Sequence, residues 1–436
     1  MKISVIGCGY LGAVHAACMA ELGHDVIGVD VDQSKIDALA AGKAPFFEPG
    51  LPELLISAGK TGRLRFTTDM SEVADAQIHF VAVGTPQKKG EFAADLTYVD
   101  AAVDGLIPYL AEGALVVGKS TVPVGTAARL AEKVTAGAPH ASLAWNPEFL
   151  REGFAVNDTI APDRLVYGVA AGEAGERATA QLDEIYAAAL ARETPRIVTD
   201  YATAELVKVS ANAFLATKIS FINAMAEVAE ATGADVTQLA DAIGHDARIG
   251  RRFLNSGLGF GGGCLPKDIR AFRARGEELG LGSSLAFLGE VDAINLRRRD
   301  RMVDLAREEL GGDLTGKRIA VLGLAFKPDS DDVRDSPSLD VAARLHAEGA
   351  IVLASDPEAI HTASRQHPEL SYVETVAEAV ENADAVLVLT EWKQYRALTA
   401  DDLAATAGKI ILDGRNCLDR EAWVGSGWRY RSLGRP

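Results

Sequence analysis

The sequence has little cysteine, no long apolar run and fewer cations than acids, and each shortage excludes something. Four cysteines (Cys8, Cys18, Cys264, Cys417) are scattered through 436 residues, too few to cross-link a chain this long. None stands in a Cys-x-x-Cys pair, so a structural zinc site is not expected, nor any other metal. Nowhere do the ~18 consecutive apolar residues of a membrane span occur. Lys and Arg number 44 against 61 Asp and Glu, a net charge of −17. Nucleic acid and anionic membranes need clustered cations, so neither is expected as a partner. An anionic small molecule needs only a local positive site and is not excluded. Met1–Tyr10 reads as a strand entering a glycine turn, not as a signal peptide, and a reducing cytoplasm is the expected compartment.

What is present is an ordinary globular composition, 48% hydrophobic and 24% charged, with length for two or three domains. Ile3-Ser4-Val5-Ile6 is a short apolar strand followed by Gly7-Cys8-Gly9-Tyr10-Leu11-Gly12 and a helical run, Ala13 to Leu22. A second strand, Asp25–Val29, ends in Asp30, 23 residues after Gly7. This is the arrangement of a dinucleotide site. Gly7 permits the turn, Gly9 lets backbone amides approach a pyrophosphate, and Gly12 allows close helix–strand packing. The helix N-terminus stabilises phosphate charge. Asp30 accepts from the ribose hydroxyls and repels a 2′-phosphate, which favours NAD over NADP. The bland alternative is a degenerate turn that binds nothing.

The alternation continues. Ile78–Val83 runs into Gly84-Thr85-Pro86, and Leu115–Lys119 into Ser120-Thr121-Val122-Pro123. Both sit at the carboxyl edge of strands, where open α/β sheets bind ligands. Thr121 is either a ligand hydroxyl or the cap of the helix from Gly125. In Asn146-Pro147-Glu148-Phe149-Leu150-Arg151-Glu152-Gly153, Glu148 and Glu152 are either acid/base groups or a solvated pair. From Tyr201 to about Thr232 the period is helical, with Lys208 and Asn212 on one face among apolar neighbours. Such a lysine either snorkels to solvent or points into a site. Helical patterns follow at Val236–Ile243, Asp268–Leu279 and Ser284–Leu310, a helical centre suited to dimerisation.

Within that centre, Gly257 to Asp268 holds five glycines in its first seven residues, then Cys264, Lys267 and Asp268. A glycine-rich backbone can approach a ligand closely. A nearby cation favours the thiolate, the nucleophilic form of cysteine. The other reading is a flexible surface loop with an incidental cysteine.

The last third echoes the first. Lys317–Leu322 with Gly323 resembles the opening strand and glycine, and Ile351–Asp356 the second strand and its acid. The later turn glycines are missing, with Leu324-Ala325-Phe326-Lys327-Pro328 in their place, so a nucleotide ligand other than a second NAD is expected. Phe326, Lys327 and Arg415 are candidates for base, phosphate and sugar contacts, or else a core aromatic and surface cations. The expected fold is α/β: two Rossmann-like doubly wound domains (1–200 and 313–436) joined by a long helix and helical dimerisation region (201–312) that carries the cysteine loop.

Taken in order, Gly7–Gly12, Gly118–Pro123, Asn146–Gly153, Lys208 with Asn212, Gly257–Asp268, Ala325–Lys327 and Asp413–Arg415 resemble the motifs of the UDP-glucose/GDP-mannose dehydrogenase family across essentially the whole chain. Asp246–Gly250 is similar to the branch acting on UDP-glucose. Pro266-Lys267-Asp268 argues against the branch acting on UDP-N-acetylmannosamine, and the GDP-mannose branch is the runner-up.

The resemblance implies oxidation of a primary alcohol to a carboxylate with two NAD. Cys264 is the nucleophile, Lys208 and Asn212 stabilise oxyanions, Asp268 with Thr121 activates water, and Glu148 is an acid/base group. It further implies cofactor contacts from Gly7, Gly9, Tyr10, Leu11, Gly12, Asp30, Lys35, Thr85, Thr121, Glu152, Lys267 and Arg334. Substrate contacts fall to Glu148, Phe149, Leu150, Glu152, Lys208, Asn212, Phe253, Asn255, Gly257, Gly261, Phe326, Lys327 and Arg415. Arg248 reaches the sugar nucleotide of a second subunit in a homodimer. Gly263 and Leu265 depart from the serine and phenylalanine usual beside the cysteine, and Asn255 replaces the lysine of animal members. Two other classes remain: a nucleotide-binding regulator without catalysis, and a simple two-electron dehydrogenase.

Overall fold

The computed structural model describes residues 1–435. The chain divides into two compact units, Met1–Ala211 with Ala274–Gly280, and Asn212–Arg273 with Leu281 onward.

The first unit is built on eight strands: β1 (Lys2–Ile6), β2 (Asp25–Val29), β3 (Leu64–Thr67), β4 (Ile78–Val81), β5 (Leu115–Gly118), β6 (Ser142–Trp145), β7 (Leu165–Gly168) and β8 (Arg196–Thr199). Their order is β3-β2-β1-β4-β5-β6-β7-β8, parallel except where β6 meets β7. Parallel strands are covered on both faces, and their sequences are accordingly apolar throughout. Ile3, Val5, Ile78, Phe80, Leu115 and Val117 pack in one core with the helix Tyr10–Glu21. Ile6, Val29, Val81, Val116 and Leu143 pack in the other with the helices Thr97–Leu106 and Thr126–Gly137. The alternation is the period of two that a pleated strand imposes. One polar pair interrupts it. Ser4 and His79, paired in register on β1 and β4, are both fully buried and share a 2.8 Å bond between Oγ and Nδ1. The winding reverses between β1 and β4, which puts the ligand crevice at their carboxyl ends.

The second unit has six parallel strands: β9 (Arg318–Leu322), β10 (Ile351–Ser355), β11 (Ser371–Tyr372), β12 (Ala385–Val388), β13 (Ile410–Asp413) and β14 (Arg429–Ser432). Their order is β11-β10-β9-β12-β13-β14, with the same reversal between β9 and β12.

The helix Tyr201–Thr232 has 32 residues and a length of about 48 Å. No glycine or proline interrupts it, and Gly233, at φ 78, takes the left-handed conformation that ends it. Other helices differ in detail from the periodicity. The first starts at Tyr10, immediately after Gly9, and not at Ala13. The one after the cysteine starts at Leu265 and not Asp268, because Pro266 is tolerated in a first turn. The run expected from Ser284 breaks at Ala286 into Gly282–Leu285 and Phe287–Glu309. Among the described residues no helix is long and apolar enough to cross a membrane, and no three His, Cys, Asp or Glu are grouped to hold a metal.

Candidate active site

In the first unit the glycine turn closes tightly. A Cβ on Gly12 would fall 1.8 Å from the Gly7 carbonyl oxygen, whereas one on Gly9 would meet nothing within 4 Å. The helix therefore starts against the strand, and the turn's outer side is open to a ligand. Gly9 caps the helix without a side-chain bond, leaving its first amides uncommitted. Asp30 accepts from the Cys8 amide at 2.8 Å and the Asp32 amide at 3.1 Å, and pairs with the Lys35 ammonium at 2.7 Å. Thr85 donates its hydroxyl to the Thr121 carbonyl at 2.8 Å, joining the loops beyond β4 and β5.

Tyr10, the first residue of that helix, donates to buried Glu48. Glu48 also accepts from the amides of Gly153 and Ala155, each at 2.7 Å. Burial, Glu48 and the charge of Glu152 all push the Tyr10 phenol up. The cofactor turn is thereby tied to the end of the loop that carries Glu148. Leu11 is partly buried beside it.

Glu148 accepts from the Lys208 ammonium at 3.0 Å and from the Leu150 amide at 2.6 Å. Lys208 is 5% exposed, so it does not snorkel. Phe149 lies under two cations, the Arg164 guanidinium at 3.8 Å and the Lys208 ammonium at 5.6 Å. Glu152 is half-buried.

Of the two readings of Thr121, the cap fails: Thr121 does not cap the helix Thr126–Gly137. Gly125 is the cap residue, and the amides of Gly125 and Ala127 are taken by Glu205, at 2.8 and 2.7 Å. Burial pushes Glu205 up to about 7 despite those bonds. A carboxylate from a distant helix outcompetes the local hydroxyl because it satisfies two orphan amides at once.

In the second unit Cys264 is exposed and stands immediately before the helix Leu265–Glu278, its carbonyl accepting from the Asp268 amide at 2.9 Å. Sulfur at such a helix start is favoured as the anion. Asp268, 3% exposed, accepts from Asn212 Nδ2 at 2.7 Å and from the Lys267 ammonium at 2.6 Å. The preceding glycines are there for lack of room. A Cβ on Gly262 would lie 2.8 Å from the Phe326 ring, one on Gly263 2.3 Å from the Arg334 guanidinium, and one on Gly261 2.4 Å from the Asp335 carbonyl oxygen. The change from serine at 263 is thus coupled to Arg334, which lies directly on the loop and pairs with Asp332 at 2.7 Å. Gly257 donates to Asn223 at 2.9 Å, and Lys327 stands 5.4 Å from the Phe326 ring centre.

Arg415 differs from an open ligand cation. It donates to the carbonyls of Leu389, Gly259 and Phe326, at 2.7, 2.9 and 3.2 Å, and so pins the cysteine loop to the turn after β9. Arg248, Phe253 and Asn255 are all exposed. Arg248 pairs with Asp246 at 2.6 Å, and Asn255 accepts from Arg251 at 2.8 Å. Phe253 holds φ 65, a conformation costing about 1–3 kcal/mol that tends to persist where function requires it.

Several residues carrying this geometry had no motif to announce them. Glu48 and Glu205 act from far along the chain. A third case is Tyr186, which completes a buried cluster with Lys119 and Asn146, residues that stand in the motifs Gly118–Pro123 and Asn146–Gly153 with no role assigned to them there.

The open glycine turn, uncommitted helix amides and strand-end acid make the first unit a dinucleotide-binding domain. Comparison with known proteins agrees. Models of the UDP-glucose/GDP-mannose dehydrogenase family match in succession: the NAD binding domain over residues 1–190, the central domain over 202–297 and the UDP binding domain over 320–420. The chain is 41% identical to a UDP-glucose 6-dehydrogenase of Rhizobium meliloti (strain 1021), covering all of both chains. It is also 41% identical to the UDP-glucose 6-dehydrogenase YwqF of Bacillus subtilis (strain 168), covering 100% of this chain and 98% of that one. The structure of a UDP-glucose dehydrogenase from the hyperthermophilic archaeon Pyrobaculum islandicum superposes with a TM-score of 0.90 at 40% identity, covering 100% and 98%. The chain belongs to the UDP-glucose/GDP-mannose dehydrogenase family, and its cofactor is NAD.

Proposed function

We propose that this chain oxidises UDP-glucose to UDP-glucuronate, with the divisions 1–200, 201–312 and 313–436 serving NAD binding, covalent chemistry and UDP-sugar binding. NAD, when bound, accepts hydride in each of the two oxidations. Glu148 takes the proton of the sugar's C6 hydroxyl as the alcohol becomes an aldehyde. Cys264 adds to the aldehyde carbon through sulfur, forming a thiohemiacetal, whose oxidation leaves a thioester. Asp268, with Thr121, positions and deprotonates water, which displaces the sulfur and releases the carboxylate. Lys208 and Asn212 donate to the oxyanions that form. Each is oriented by a carboxylate, Glu148 or Asp268.

The observation that carries this reading is Cys264 at a helix start, one turn before a buried carboxylate held by Asn212 and Lys267. A homodimer fits the helix Tyr201–Thr232, where Phe214, Phe221 and Val228 are exposed at seven-residue spacing and need an apolar cover. Arg248 is then free to reach a second subunit's sugar nucleotide, and a reducing cytoplasm keeps Cys264 as a thiol.

The test is stoichiometry on a panel of UDP-glucose, GDP-mannose and UDP-galactose. Two NADH per sugar with UDP-glucose preferred is the expected result. One NADH per sugar would leave a simple alcohol dehydrogenase, preference for GDP-mannose would move the substrate, and no reduction with any sugar would leave a binding protein.

A further inference from the structure

Lys119 ends β5 and turns inward. It is 5% exposed, and its ammonium lies 3.0 Å from Asn146 Oδ1, 3.4 Å from the Asn146 carbonyl and 3.2 Å from the Tyr186 hydroxyl. Three acceptors match the three donors of an ammonium; a neutral amine has only two. The rings of Phe80 and Tyr186 stand 5.6 and 5.8 Å away. Among the described residues no carboxylate pairs with Lys119 at salt-bridge distance. A buried unpaired charge is costly, so its retention needs a reason.

The surroundings supply one. Asn146 opens the loop that presents Glu148. It is fixed on every side: Tyr186 donates to its Oδ1 at 2.6 Å, and its own Nδ2 donates to the Val166 carbonyl at 2.9 Å. Glu148 attracts the Lys119 charge, while Lys208, from the helix Tyr201–Thr232, repels it. His15, on the helix Tyr10–Glu21, is fully buried and held neutral by burial and by Lys119. The Tyr186 phenol is pushed well up by burial. Arg164, Asp158 and Asp163 line the same cavity of about 50 Å³ as Lys119 and Glu148. Burial lowers the Lys119 ammonium to about 8, within reach of ordinary assay conditions.

We propose that Lys119 is a positioning residue for Glu148: its ammonium, clamped on Asn146, fixes the loop that presents this carboxylate. The role rests on the reading of Glu148 as the acid/base group. Above the transition one donor disappears and a lone pair faces an acceptor, so the clamp on Asn146 loosens.

Two variants test this in the full chain. Lys119→Met keeps the volume and discards the charge; it should lower kcat about tenfold or more, a fraction of what a general base supplies, with KM for UDP-glucose and NAD little changed and no alkaline limb near pH 8. Lys119→Arg, for which the adjoining cavity leaves room, should retain kcat and carry activity beyond pH 9, since a guanidinium keeps its proton. Wild-type kcat with an unaltered alkaline limb in either variant overturns the proposal. A readout independent of turnover is the stability difference between wild type and Lys119→Met across pH 7 to 10.5. Folded Lys119 sheds its proton before the unfolded chain does, so wild type should gain on the variant from about pH 8 upward. A flat difference also overturns the proposal. A rising difference in a protein that oxidises no nucleotide sugar would instead overturn the functional reading while leaving the buried ammonium established.

Discussion

In the first unit the helix begins at Tyr10, three residues beyond Gly7; in the second, the helix Pro337–Ala347 begins fourteen residues beyond Gly323. Gly9 leaves the first helix start without a side-chain cap, while Ser336 caps the second by accepting from the Leu339 amide. The strand-end acids differ in the same sense. Asp30 takes two amides and one lysine whose side chain is partly exposed. Asp356 takes five donors: the amides of Leu324, Ala325, Glu358 and Ala359 and the indole of Trp392. The same strand order thus serves two ends. Where the helix amides are uncommitted and the acid has fewer donors, a dinucleotide can bind; where the protein has consumed them, a ligand must be met by loop side chains instead.

The largest expected effect concerns the chemistry that neither sheet performs. Cys264→Ser should cut turnover on the order of a thousandfold or more while NAD affinity, measured by fluorescence titration, is unchanged. Full turnover in that variant would remove the covalent step. Next comes the pair of acids. Asp356→Ala strands five donors, each worth about 1–3 kcal/mol when buried and unsatisfied, and should lower unfolding stability by more than about 3 kcal/mol. Asp30→Ala strands fewer donors and should cost less stability than Asp356→Ala, but weaken NAD and narrow its advantage over NADP. Equal stability losses would erase the distinction drawn between the two ends.

A subtler contrast lies inside the sheets. Ser4 and His79 are register partners in the first, where Ala320 and Val386 are register partners in the second. Burial lowers His79 to about 4, so it stays neutral in the folded chain while the unfolded chain protonates near 6.5. Its contribution is therefore complete above pH 6.5 and lost as pH falls toward 4, by roughly 3 kcal/mol. Urea titrations at pH 7 and 4.5 should show that loss in wild type and a smaller one in the double variant Ser4→Ala/His79→Val. An identical loss in both would acquit the pair.

How much of this could be read beforehand follows the range of the interactions. The cofactor turn was legible because glycine spacing and the acid at Asp30 are local consequences of one strand–turn–helix. The helix from Tyr201 to about Thr232 was legible nearly end to end, since nothing within it breaks the period. The choice between cap and ligand hydroxyl at Thr121 stayed open in the sequence because Glu205, which takes the amides, comes from 80 residues away. Arg415 was legible as a cation, but its bonds to three carbonyls from distant parts of the chain were not. Lys119 and Asn146 stand in motifs, but their meeting was not legible for the same reason: it needs β5 and β6 side by side, with Tyr186 brought in from the end of a later helix.

The four sulfurs are unequal in a way that bears on handling the protein. Cys8 and Cys18 are buried, and burial pushes each thiol up to about 12; Cys417 is pushed higher still by burial and Asp413. Only Cys264 is exposed. Among the cysteines, electrophiles therefore find their most accessible target in Cys264, the atom that the proposed chemistry uses.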